Sequence, residues 1–173
     1  EELLYDKRGD VAWVTFNRPQ ARNALTFAMY RGLAEVCERI GKTREAKADL
    51  RYGTAPRQRL DLFPCGRAGA PTLAYIHGGY WQMNDKEPYA FFGEALLPAG
   101  FNLALIEYTL APEARLDQIV AEVRAAVAWV IDHAAEHGGD ARRVFVAGHS
   151  AGGHLTAAAM SDHRLNTGST TGC

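Results

Sequence analysis

A chain of 173 residues that is 47 % apolar and 23 % charged has enough material for a soluble domain with a buried core. Its net charge of −1 gives no support for binding to nucleic acid or to an anionic membrane surface. No apolar run approaches the ~20 residues that span a bilayer, no charged-then-apolar leader opens the chain, and Cys37, Cys65 and Cys173 fit no metal-ligand spacing. The expectation is a cytoplasmic protein with free thiols, no metal, no cofactor, no membrane contact and no nucleic-acid partner.

In chain order, Val11-Ala-Trp-Val-Thr-Phe16 alternates as a strand and Asn17-Arg18-Pro19 stops it. From Ala24 to Ile40 the residues Leu25, Met29, Leu33, Val36, Cys37 and Ile40 fall on one helical face, and Gly41 is placed to end the helix. The strand, Asn17-Arg18-Pro19, Asn23-Ala24-Leu25 and the helix together resemble the N-terminus of the crotonase (enoyl-CoA hydratase/isomerase) family. That resemblance covers residues 1–41 and brings none of the family's later oxyanion loop or catalytic acids, so the acyl-CoA chemistry it implies is the weakest reading. Lys42–Lys47 is charged, lacks apolar periodicity and reads as a junction.

From residue 48 onward strands and helices alternate. Arg57–Phe63 alternates as a strand ended by Pro64-Cys65-Gly66, and Pro71–Ile76 is a continuous apolar run typical of a strand buried on both faces. Pro88–Leu97 is helical up to Gly100, and Phe101–Tyr108 is the next buried strand. Leu116–His133 carries Ile119, Val120, Val123, Val127, Val130 and Ile131 on one face, with Trp129 on the same core stripe. A turn at Gly138-Gly139-Asp140 leads into a strand at Arg143–Ala147 and a helix over Gly152–Met160. This alternation predicts an α/β fold with a mostly parallel sheet flanked by helices, in a domain spanning 48–164. The polar 165–173 tail is expected to be disordered.

The strand at 143–147 runs into Gly148-His149-Ser150-Ala151-Gly152, the G-x-S-x-G signature of a nucleophile elbow. A serine on such a turn has a strained backbone, and its flanking positions must be small enough for neighbouring chain to pass. Ser150 is therefore the candidate nucleophile. His77-Gly78-Gly79-Tyr80-Trp81 follows a buried strand where an H-G-G-G-type loop would lie. The amides of Gly78, Gly79 and Tyr80, with that of Ala151, form a candidate oxyanion hole aided by the helix start. His77 reads as a residue shaping the loop, and neither His149 nor His154 as the base; His154 suits packing or capping at the helix start. Tyr80 and Trp81 either line an acyl or aryl pocket or simply pack. Glu107, at the end of a buried strand on the catalytic edge of the sheet, reads as a partly solvated strand-end carboxylate, the alternative being a role in a polar network, and Asp85-Lys86-Glu87 as a solvated helix start.

On Arg57-Gln58-Arg59-Leu60-Asp61, His77-Gly-Gly-Tyr-Trp81, Tyr108-Thr-Leu-Ala-Pro112 and Gly148-His-Ser-Ala-Gly-Gly-His-Leu155, residues 48–163 resemble the N-terminal half of an α/β-hydrolase of the esterase/arylformamidase (kynurenine formamidase-like) group. The resemblance implies a serine hydrolase of small-molecule esters or amides. Attack by Ser150 would give an acyl-enzyme, with Gly78, Gly79, Tyr80 and Ala151 as the oxyanion region. In that fold the triad acid and histidine follow the nucleophile on later loops. Here Asp162 and His163 come next, roughly 18 Å along a helix that rises ~1.5 Å per residue. The expectation is a chain truncated after the elbow and catalytically impaired, the alternative an inactive chimeric or truncated structural product. An unpartnered 143–147 strand would leave an open sheet edge, and self-association is the expected consequence unless residues 1–41 cover it.

Overall fold

Chain segments 2–8, 11–24, 26–41 and 46–161 are described in a computed structural model. They form two hydrogen-bonded sheets. Leu25, residues 42–45 of the junction, Asp162, His163 and the 165–173 tail lie outside the described residues, as do the side chains of Val36, Cys37 and Ile40.

The N-terminal sheet pairs β1 (Leu3–Arg8) antiparallel with β2 (Val11–Phe16), Leu3 opposite Phe16. Helix α1 (Phe27–Gly41) begins three residues later than the apolar spacing suggests. The reason is local: Thr26 Oγ1 accepts from Met29 N at 3.2 Å, an N-cap bond that fixes the first turn. Met29 is buried, whereas Phe27 is 90 % exposed.

The larger sheet contains β3 (Lys47–Arg51), β4 (Arg59–Phe63), β5 (Ala70–Ile76), β6 (Asn102–Ile106) and β7 (Gly139–Gly148), in the order β3-β4-β6-β5-β7. The expectation of a mostly parallel sheet is corrected. β5 is parallel to β6 and to β7, but β4 is antiparallel to β6 and β3 to β4, so the sheet is mixed. Connection length explains the division, because a parallel pair needs a long crossover and an antiparallel one does not. Residues 64–69 between β4 and β5 are too few for a covering helix. Residues 77–101 carry a 3-10 helix (Glu87–Phe92) and α2 (Gly93–Leu96), and 107–138 carry α3 (Leu116–Asp132).

Alternation along β4, β5 and β6 divides their side chains between two cores. Leu60, Leu62, Ala74, Ile76, Ala104 and Ile106 pack with Ile119, Val123 and Val127 of α3 and with Leu155 of α4 (Ala151–Met160). Phe63, Tyr75, Leu103 and Leu105 pack with Leu97 on the opposite face. Strands covered on both faces read as unbroken apolar runs. Trp129 is only partly buried, its ring stacked on His133 at 4.1 Å. Ile106 has no exposed surface, and Ile106→Ala is expected to cost about 2–5 kcal/mol in chemical denaturation.

β7 ends the sheet order, so among the described residues no strand pairs with its outer edge, and Phe145 on it is 53 % exposed. β1 and β2 pair with each other and not with β7. No helix among the described residues is long and apolar enough to cross a membrane.

Candidate active site

β7 delivers the chain to Ser150 at φ 55°, ψ −118°, a backbone conformation that an L-residue keeps only under constraint. The turn then becomes α4 at once, through Gly152 N donating to His149 O (2.8 Å) and Gly153 N donating to Ser150 O (3.0 Å). Ser150 stands at the N-cap of α4, yet its hydroxyl makes no capping bond and the residue is exposed. A serine at this position ordinarily spends its oxygen on the helix; here the strained backbone withholds it.

The constraint comes from close backbone approach. A β-carbon on Gly152 would collide with Ile76 O and stand 2.6 Å from His77 O. Across the gap, a β-carbon on Gly78 would lie 2.6 Å from His149 O and 3.2 Å from Ser150 Cβ. The 77–81 loop and the elbow are thus interlocked through glycines at the carboxyl end of β5, and the structure brings Gly78, His77, His149 and Ser150 together.

Beyond Gly78 the loop turns sharply, with Gly79, Tyr80 and Trp81 at φ 122°, 53° and 61°. Gln82 N and Met83 N both donate to Gly79 O, at 2.9 and 3.0 Å. The amides of Gly79 and Tyr80, and that of Ala151 at the start of α4, donate to no acceptor among the described residues. Tyr80 is 72 % exposed. Trp81 packs edge-on against His154 with ring centres 5.5 Å apart, and its buried indole N–H has no partner among the described residues. His149 is exposed beside the nucleophile.

His77 is buried, its ring stacked on Tyr108 at 4.3 Å. Its Nε2 lies 2.9 Å from Glu107 Oε1, and its carbonyl accepts from Tyr108 Oη at 2.9 Å. Glu107 is wholly buried, which corrects its reading as a partly solvated carboxylate. Arg57 Nη2 donates to it at 2.7 Å, Lys86 N at 3.1 Å and its own neighbour Tyr108 N at 3.1 Å. Burial alone would raise the Glu107 pKa, but the hydrogen bond from His77, the charges of His77 and Arg57, and the Lys86 amide outweigh it and hold the carboxyl below the ordinary glutamate value.

Lys86 also corrects its sequence reading. It is 2 % exposed, with Nζ at 3.0 Å from Asp61, 3.1 Å from Asp49 and 2.7 Å from Glu87. Asp85, Glu87 and Glu107 bring carboxylate oxygens within 4.8 Å of one another, and each is ion-paired to Arg57 or Lys86.

A lowered folded-state pKa has a signed consequence for stability. Glu107 contributes above the unfolded value near ~4.3, and that contribution is lost as pH falls through the lower folded value. Between about pH 5 and 3, Tm should therefore fall more steeply in the wild type than in Glu107→Gln. Parallel Tm–pH curves would show that the Glu107 charge is not linked to folding.

A strained serine between close-approach glycines, facing a glycine loop from the neighbouring parallel strand, is the architecture of an α/β-hydrolase elbow. The BD-FAE family matches residues 60–170, from β4 through the elbow and α4. The chain belongs to the BD-FAE family. Among curated relatives, the kynurenine formamidase of Danio rerio is 32 % identical over 126 residues, covering 72 % of this chain and 42 % of the relative. The isoprenylcysteine alpha-carbonyl methylesterase of Arabidopsis thaliana is 27 % identical over 131 residues, 75 % of this chain and 31 % of the relative. The solved thermostable carboxylesterase EstE1, cloned from a metagenomic library, superposes with a TM-score of 0.62 at 27 % identity, over 82 % of this chain and 51 % of that one. The chain thus spans about half of the solved esterase and less than half of the two curated relatives. The BD-FAE match begins at residue 60, so β1, β2 and α1 lie outside it.

From the sequence, Arg57 and Glu107 have no place in the site beyond the polar-network role open to Glu107, whereas the fold joins the two through an ion pair beside the 77–81 loop. A signal existed: Glu107 follows the unbroken apolar run of β6, where a carboxylate is buried only if paired.

Proposed function

We propose that this chain carries the nucleophile and the oxyanion site of a serine hydrolase acting on small carboxylic esters or N-formyl aryl amides. The observation that carries the reading is the exposed, uncapped Ser150 hydroxyl, held at φ 55° against the Gly78–Tyr80 loop. In the proposed reaction Ser150 Oγ loses its proton to a base and attacks the acyl carbonyl carbon. The carbonyl oxygen becomes an anion that accepts from the amides of Gly79, Tyr80 and Ala151, at the positive end of α4. Collapse of this intermediate expels the alcohol or amine, which takes up the proton, and water then releases the acid from the acyl-enzyme.

Neither His149 nor His154 is assigned as the base. The His154 ring packs edge-on against Trp81, and His149 makes no hydrogen bond to Ser150 Oγ among the described residues. The His77–Glu107 pair spends both ring nitrogens on Glu107 and Gly78 O, and the described residues after Ser150 include no acid–histidine pair, so Ser150-dependent turnover by this chain alone is expected to be weak. Names of relatives support both ester and formamide as substrates. The test is hydrolysis of p-nitrophenyl acetate and of an N-formyl aryl amine by wild type and Ser150→Ala. Turnover of either that depends on Ser150 supports the reading, and rates equal in the two proteins contradict it.

A further inference from the structure

Glu107 closes β6 with no exposed surface and takes no part in the bond-making steps above. Its Oε1 lies 2.9 Å from His77 Nε2, and on the far side of the same ring Nδ1 stands 2.8 Å from Gly78 O. A carbonyl oxygen only accepts, so Nδ1 carries a proton. A second proton must then lie between Nε2 and Oε1, because a ring lone pair facing a carboxylate in a site closed to water would be strongly repelled. Glu107 therefore dictates which edge of the ring faces the loop.

Gly78 O is held by a second donor, Asn84 Nδ2 at 3.3 Å. In a trans peptide the carbonyl and the following N–H point to opposite sides. With Gly78 O drawn toward His77 and Asn84, the Gly79 N–H is turned the other way. Arg57 ties the same parts together, donating from Nε to Tyr108 O at 3.0 Å and from Nη2 to Asn84 O at 2.6 Å.

We propose that Glu107 is a positioning residue: through the proton shared with His77 Nε2 it holds the ring on Gly78 O and so aims the Gly79 amide at the developing oxyanion. The inference rests on the reading of Ser150 as nucleophile and of the 78–80 loop as its oxyanion site. A glutamine at this position cannot substitute. Four donors converge on the carboxylate (Arg57 Nη2, His77 Nε2, Lys86 N and Tyr108 N), and an amide would turn its own N–H groups against at least one of them.

The test compares wild type, Glu107→Gln and the exposed-site control Asp132→Asn by 15N NMR of ring and backbone, and by the rate of fluorophosphonate attachment at Ser150. In Glu107→Gln the His77 ring N–H and Gly79 amide signals should shift or vanish while those of α3 stay in place. Labelling should slow about tenfold or more. Asp132→Asn should match wild type in both. Unshifted His77 and Gly79 signals together with wild-type labelling overturn the proposal. If Glu107→Gln does not fold, Glu107→Asp keeps the charge but shortens its reach, and unchanged His77 and Gly79 signals in it overturn the proposal equally. Wild type that takes no label at Ser150 removes the hydrolase reading alone, and the two NMR signals then decide whether Glu107 holds the loop.

Discussion

Ser150→Ala is expected to abolish fluorophosphonate labelling and every turnover that passes through an acyl-enzyme, while leaving the folding free energy within ~0.5 kcal/mol of wild type. The hydroxyl caps nothing, so removing it costs the helix nothing. Ser150→Gly separates chemistry from strain. At φ 55°, ψ −118° glycine bears no β-carbon penalty, and the variant should be more stable than wild type by about 1 kcal/mol while equally inactive. A gain in stability on deleting the nucleophile would mean that backbone strain is kept at this position for function. Equilibrium urea unfolding of the three proteins provides the measurement; a Ser150→Gly protein less stable than Ser150→Ala would contradict the account of the elbow.

Gly152→Ala should be among the most damaging single-methyl changes in the domain, costing about 3 kcal/mol or more and eliminating labelling. Its β-carbon would collide with the Ile76 carbonyl and stand 2.6 Å from that of His77, backbone atoms that cannot rotate aside. Relief would require pushing α4 away from β5, which separates Ser150 from the loop facing it. The neighbouring Gly153→Ala is the internal control. There the new methyl meets Gly148 O at 3.4 Å, an ordinary contact, and the helix gains up to ~1 kcal/mol from the better helix former. Opposite signs at adjacent glycines, read by urea denaturation, would establish close approach as the cause. Equal losses at both would point instead to a general intolerance of α4.

What the sequence makes legible follows from how far apart the interacting residues lie. The elbow is local: Gly148, Ser150 and Gly152 announce a turn that the backbone then makes. β5, β6 and α3 are legible too, because burial on both faces or on one stripe leaves a periodicity in adjacent residues. β3 is not, since Lys47-Ala-Asp-Leu-Arg51 lies at the sheet edge with only Leu50 packed on the core, and an edge strand needs no apolar alternation. β1 is hidden in the same way by Asp6, Lys7 and Arg8. The burial of Lys86 depends on Asp49 and Asp61, and that of Glu107 on Arg57 and His77, partners that only the folded sheet brings near. The antiparallel half of the sheet was recoverable from the short 64–69 link, which leaves no room for a crossover helix. Resemblance to the esterase/arylformamidase group agrees with the BD-FAE match over β4 to α4.

In the proposed reaction the elbow presents Ser150 as a nucleophile to the loop at 78–80. Peptide mapping by mass spectrometry after exposure to a fluorophosphonate tests it most directly. A single phosphonate adduct is expected, on Ser150, absent from Ser150→Ala and reduced in Glu107→Gln. No adduct after prolonged exposure, or an adduct that persists in Ser150→Ala, would contradict it.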